Sequence, residues 1–156
     1  MKIRWKTLIG AILLPLIVGG ISALISMGGM KDFESINQPP LTPPSWLFPI
    51  AWTILYILMG VASYFVFTAN KGEELTVRAL SSYVIQLALN FMWSILFFSL
   101  ELYTFSFLWL IALLVMIVIT MSRFYKVNTK AAYLLIPYLV WVAFAGYLNL
   151  GVAILN

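Results

Sequence analysis

Five apolar runs of about 20 residues follow one another along this chain, at about residues 7–27, 46–68, 79–98, 103–122 and 131–153, and none carries an Asp, Glu, Lys or Arg. A helix rises ~1.5 Å per residue, so about 20 residues cross the ~30 Å hydrocarbon layer of a bilayer. In that layer each backbone N–H and C=O must be satisfied within the span, and a helix does so. The chain therefore reads as an all-α integral membrane protein, a five-helix transmembrane bundle, with residues 1–156 as one membrane domain. Composition agrees: 63% of the residues are hydrophobic and 9% are charged, against about 25% charged in soluble domains.

The charges give an orientation. With five spans, one side of the membrane receives Lys2, Arg4, Lys6, Lys71, Arg78, Arg123, Lys126 and Lys130, and the other receives only Lys31. Cytoplasmic loops carry the Lys/Arg excess, which predicts an inside N-terminus and an outside C-terminus. The net charge of +4 is thus a matter of topology and gives no sign of a nucleic-acid partner. A signal peptide is the rival reading of the basic start. Its apolar core would be shorter, ~7–15 residues, so a retained first span is preferred.

Several chemistries are excluded. The chain has no His and no Cys, which removes imidazole bases, thiolates, disulfides and the usual zinc sites. No metal site and no required cofactor are expected. Intramembrane ionisable groups mark proton and ion paths, and their absence argues against an ion-coupled pump.

What remains is aromatic faces, a few amides and hydroxyls, and small residues. In the last run, Tyr138, Trp141, Ala145, Leu148 and Asn149 fall on one helical face. In the second, Trp52, Tyr56, Met59 and Ser63 share a face; in the third, Gln86, Asn90 and Ser94 do. Amides in hydrocarbon need partners, so these sides turn into the bundle. They read either as ordinary bundle packing or as the wall of an apolar pocket with a few placed polar groups. The pocket reading takes Trp52 and Trp141 as stacking surfaces, Asn90 as the group that fixes orientation, and Ala145 as the residue that leaves room. Flat ligands such as tetrapyrroles and sterols would suit it. Trp46 reads as an interfacial anchor.

The stretch from Gly28 to Ser45 contains Pro39, Pro40, Pro43 and Pro44. Prolines forbid a regular helix there, and the stretch reads as a stiff loop, either a lid or a plain connector. The middle of the fourth run, from Leu108 to Thr120, is almost wholly apolar and reads as lipid-facing. Gly19-Gly20 and that bare face are the candidates for a dimer surface.

The segments PPLTPPSWLFPIAWTILY (Pro39–Tyr56), LNFMWSILFF (Leu89–Phe98) and RFYKVNTKAAYLLIPYLVWVAFAGYLNLGVAILN (Arg123–Asn156) resemble, in order and spacing, the translocator protein or tryptophan-rich sensory protein (TspO/MBR) family. The resemblance covers nearly the whole chain. It implies a five-helix bundle, often a homodimer, with a lid-like first loop over a pocket. It also implies a receptor in a bacterial cell membrane that binds porphyrins such as protoporphyrin IX and haem, with sterols and drug-like molecules as further ligands and tetrapyrrole or stress regulation as the role. Light-dependent breakdown of protoporphyrin IX and transport are the alternatives it implies. In the former, Trp52 and Trp141 match the reactive tryptophans, with no conventional catalytic residue present. Asn90 and Ala145 match ligand-contacting positions. Ser94, Tyr56, Tyr138 and Asn149 complete the expected ligand site. Two departures stand out: Leu41 replaces a tryptophan common in the loop, and no basic residue follows Tyr147, so the family's cholesterol motif is absent. Tetrapyrrole is therefore favoured over sterol.

Overall fold

The computed structural model describes residues 2–156. Its elements are α1 (Trp5–Asp32), a 3₁₀ turn (Phe33–Ser35), α2 (Leu47–Phe67), α3 (Glu73–Ser94) running into a π turn (Ile95–Ser99), α4 (Tyr103–Val127), α5 (Thr129–Leu134) and α6 (Ile136–Leu155). Among the described residues, five helical segments are long and apolar enough to cross a membrane: Trp5–Ser35, Leu47–Phe67, Glu73–Ser99, Tyr103–Val127 and Thr129–Leu155. No strand occurs among the described residues. The protein is an all-helical integral membrane protein.

Local chemistry sets several helix ends. Gly72 adopts φ 95° just before α3, a conformation that costs glycine little, and Glu73 and Glu74 follow in the first turn. There they complement the positive end of the helix dipole. Asn128 caps α5, its Oδ1 accepting from the backbone N–H groups of Lys130 at 3.0 Å and Ala131 at 3.3 Å. The fifth span, read from sequence as one helix, is broken at Leu135. Pro137 follows, and with no N–H it cannot bond the carbonyl of Tyr133 four residues back.

The first span is longer than its sequence suggests. The apolar run ends near Met27, yet α1 continues through Gly28-Gly29 to Asp32. Gly29 lies so close to the carbonyl of Phe98 that any Cβ would overlap it. The glycine is there for close contact between helix and π turn, and it does not end the helix. Ser94 Oγ donates to Ser26 Oγ across the same contact at 3.1 Å. Lower down, α1 and α2 touch through two more glycines. A Cβ on Gly60 would lie 2.5 Å from Ile12 Cα, and one on Gly19 would strike the Tyr56 ring. Gly19 is therefore used inside the bundle, whereas Gly20 faces open space.

α3 packs on α4, α4 on α6, and α2 on α1, α3 and α5. The expectation that the middle of the fourth run faces lipid is corrected. Leu110, Leu113, Ile117 and Thr120 are fully buried, while Leu108, Ile111, Val115 and Val118 on the opposite face are exposed. A helix that is apolar all round carries no polarity contrast to reveal which stripe packs inward. The least buried of the five spans is the first, Trp5–Ser35.

Candidate functional site

A cavity of about 170 Å³ opens among α1, α2, α3 and α6, beside the proline-rich loop. α2 supplies Phe48, Trp52 and Tyr56; α3 and its π turn supply Asn90, Trp93, Ser94, Phe97 and Phe98. α6 supplies Trp141, Phe144, Ala145, Leu148 and Asn149, and α1 closes the side with Gly19, Ser22 and Ala23. The lining is overwhelmingly apolar and aromatic, the composition expected of a small-molecule site.

The cavity thus gathers Trp52, Tyr56, Asn90, Ser94, Trp141, Ala145 and Asn149 from three helices. Tyr138 does not line it. It lies behind the wall, fully buried, where it holds Asn90. Met59 is buried below the cavity, where Gln86 Nε2 donates to its sulfur at 3.8 Å; Ser63, buried nearby, donates to the Gly60 carbonyl. Trp46 is 65% exposed, consistent with an interfacial position.

Trp93, Phe97 and Phe98, like Phe48 and Phe144, line the cavity without having been singled out by sequence periodicity. Trp93 and Phe97 follow Asn90 by three and seven positions, which is the same helical face, so that signal was present. Phe98 joins them because the π turn winds the backbone more loosely. Leu100 N–H bonds the Ile95 carbonyl, five residues back, at 3.0 Å. One extra residue per turn brings two consecutive phenylalanines to the cavity, and such π turns recur at functional sites.

The rings form a connected wall. Trp52 stacks on Tyr56 at 5.6 Å and meets Trp93 at 6.4 Å; Trp93 stacks on Phe97 at 5.5 Å. On the other side, Trp141 meets Phe48 at 6.0 Å and Phe144 at 5.8 Å. Among the described residues no ring contact joins Trp52 to Trp141. They stand on separate parts of one hollow.

Polar groups behind the wall are tied to one another. Tyr56 Oη donates to Asn90 Oδ1 at 3.1 Å, Asn90 Nδ2 to Tyr138 Oη at 2.8 Å, and Tyr138 Oη to Gln86 Oε1 at 2.7 Å. Asn149 is held as firmly. Its Oδ1 accepts from Trp93 Nε1 at 3.0 Å and Ser106 Oγ at 3.1 Å, and its Nδ2 donates to the Tyr103 carbonyl at 2.7 Å. Both amides therefore serve first to fix the wall. Satisfied networks of this kind rigidify a site. The indole N–H groups of Trp52 and Trp141 have no protein partner among the described residues.

The proline-rich loop is strapped to the end of α6. Tyr147 Oη donates to the Pro40 carbonyl at 2.7 Å, and Pro39 packs on Gly151, where a Cβ would lie 2.5 Å from its ring. Asn37 and Asn156 exchange hydrogen bonds, N–H to Oδ1 at 3.2 Å and Nδ2 to carbonyl at 2.9 Å. Pro39 and Pro40 face α6, and Pro43 and Pro44 line a separate hollow. None of the four lines the apolar cavity. Its loop-side wall is made by Phe33 and Ser45.

The model of the TspO/MBR family matches residues 11–155. The tryptophan-rich protein TspO of Archaeoglobus fulgidus is 35% identical over 150 residues, 96% of each chain. Protein CrtK of Rhodobacter capsulatus is 36% identical over 138 residues, 88% of this chain and 85% of its own. The translocator protein of Bos taurus is 36% identical over 147 residues, 93% of this chain and 87% of its own.

Proposed function

The chain belongs to the TspO/MBR family, and from that premise we propose that it is a membrane receptor whose cavity binds porphyrins, such as protoporphyrin IX and haem, and similar flat apolar ligands. The role is sensory, in tetrapyrrole or stress regulation, in a bacterial cell membrane with the N-terminus inside. The observation that carries this reading is the cavity itself, apolar, lined with tryptophan and phenylalanine, and framed by fixed amides. Relatives named tryptophan-rich sensory protein and translocator protein support a receptor role. An aromatic pair adds ~0.5–1.5 kcal/mol beyond area burial, so a planar macrocycle gains from each ring it meets. No step needs a metal or a cofactor of the protein's own.

The test is titration of the detergent-solubilised protein with protoporphyrin IX, followed by tryptophan quenching. Saturable quenching is expected, lost or weakened at least tenfold when Ala145→Leu fills the cavity. Non-saturable quenching, or saturation indifferent to that substitution, overturns the reading.

A second reading, light-dependent porphyrin breakdown, is favoured by the stacking of Trp52 on Tyr56 and its proximity to Trp93. Excited porphyrin would sensitise dioxygen, whose two atoms would add across one double bond of the macrocycle and cleave it to two carbonyls, with the Trp52 and Trp141 indoles holding the ring where this happens. Illumination of the complex tests this. Soret loss equally fast in Trp52→Phe with Trp141→Phe overturns it.

A further inference from the structure

The cavity is small for the ligand assigned to it. Sites that enclose a drug-sized molecule measure ~300–1,000 Å³, whereas this hollow is about 170 Å³. A wall has to move before a macrocycle enters, and the walls are not equally held. On the α1 side, Gly19 presses on the Tyr56 ring and Gly29 on the Phe98 carbonyl, closer than any Cβ allows. On the α2 and α3 side, Tyr56 is bonded to Asn90 at 3.1 Å and Trp93 to Asn149 at 3.0 Å. Their exposures are only 9% and 7%. Trp52 has no hydrogen bond of its own, but it touches Tyr56, Trp93 and Tyr138, and each of those is bonded. The proline-rich loop is tied to α6 by Tyr147 on Pro40 and Asn156 on Asn37, with Pro39 seated on Gly151.

Trp141 lacks every one of these restraints. Its indole N–H has no protein partner among the described residues. Its ring neighbours are Phe48 and Phe144, which have no polar atom to bond. Phe144 is backed by a stack on Tyr147 at 6.1 Å. Phe48 has no such backing from the loop and sits in the first turn of α2, where backbone N–H groups lack intrahelical partners. Trp141 and Phe48 are both half-buried, and they meet at 6.0 Å with their planes 70° apart. That single edge-to-face contact is the weakest joint in the wall. α6 takes its helix packing from α4 and α5, so Trp141 can turn without parting a helix pair.

We propose that Trp141 and Phe48 are the two leaves of a gate, which part to admit a flat macrocycle and then close on it, while the proline-rich loop stays strapped to α6. The inference rests on the cavity being a porphyrin site, and it adds the residues that control entry. The bonded side, Tyr56 and Trp93 with Trp52 between them, is the fixed surface against which the ring is placed. Binding that waits for a conformational opening is slowed at the association step, so the gate is read in the association rate.

The experiment mixes the full chain in neutral detergent with protoporphyrin IX and follows the porphyrin's own emission in time, so that loss of a tryptophan does not alter the signal. Trp141→Leu is expected to raise the association rate constant roughly fivefold, the size of losing one edge-to-face ring contact. Phe48→Leu removes the other leaf and is expected to do the same, which keeps the test open if one variant fails to fold. Trp93→Phe, on the bonded side, is expected to leave association within about twofold and to speed dissociation, because it loosens a surface that the bound ring leans on. Tyr147→Phe frees the loop from α6 and is expected to leave association within about twofold. Association unchanged by Trp141→Leu and by Phe48→Leu overturns the gate. Association sped by Tyr147→Phe as much as by Trp141→Leu overturns it too, since the loop would then control entry. A parent protein that shows no saturable binding overturns the cavity reading and the gate with it; saturable binding at rates indifferent to both leaves overturns the gate alone.

Discussion

Asn90 Nδ2 donates to Tyr138 Oη at 2.8 Å across the interface between α3 and α6. This bond joins a residue on the cavity wall to one wholly behind it. Tyr138 passes its own proton on to Gln86 Oε1 at 2.7 Å, so one phenol satisfies two buried amides.

Tyr138→Phe keeps the ring and removes the oxygen. It leaves Asn90 without an acceptor and Gln86 without a donor, both in a buried setting. An unsatisfied buried polar group costs ~1–3 kcal/mol. The expected result is a lower midpoint of thermal unfolding in detergent, together with weaker ligand binding as the Asn90 side of the cavity loosens. A variant as stable as the parent would show that the bond adds nothing.

Gly60 and Gly10 form a matched pair of opposites. A Cβ on Gly60 would press on the Ile12 Cα at 2.5 Å and the Ala11 carbonyl at 2.7 Å, whereas one on Gly10 meets nothing within 4 Å. Gly60→Ala must push two backbones apart and is expected to cost roughly 1–3 kcal/mol or more. Gly10→Ala relieves glycine's entropy in a helix and is expected to gain about 0.5–1 kcal/mol. Thermal unfolding of the two variants side by side checks both signs.

Glu101 holds φ at 52° in the turn between α3 and α4, a left-handed conformation that is costly for any residue with a Cβ. Glu101→Gly is expected to stabilise the protein by about 1 kcal/mol. An unchanged or lower unfolding midpoint would contradict the strain.

The absence of cysteine makes a topology test clean. Leu41, 83% exposed, and Lys71, also exposed, lie at opposite ends of the bundle. In intact cells a membrane-impermeant maleimide is expected to label Leu41→Cys and to spare Lys71→Cys until the membrane is opened. The reverse pattern would invert the assigned orientation.

Much of this architecture is legible in the chain. Each apolar run must become a helix because lipid offers its backbone no other partner. The cavity-facing positions on α2, α3 and α6 were legible for a related reason. Trp52, Asn90 and Ala145 stand out from plain aliphatic neighbours, and their spacing repeats with the helix. Where that contrast is missing, the reading failed: α4 buries one apolar stripe and exposes another of the same composition. The first span read as ending near Met27 because hydropathy marks where the apolar run stops, whereas α1 continues to Asp32, with Gly29 in contact with a distant carbonyl.

The sequence by itself determined the number of spans, the partition of charge between the two ends and the aromatic character of the inward faces, because these follow from burial and helical period alone. Only the tertiary structure decided which side chains touch. It drew Tyr138 back behind the wall, brought Phe97 and Phe98 forward together through the π turn, and tied the proline loop to α6. Those outcomes depend on how closely separate helices approach, and that distance is set by glycines and hydrogen bonds between residues far apart in the chain.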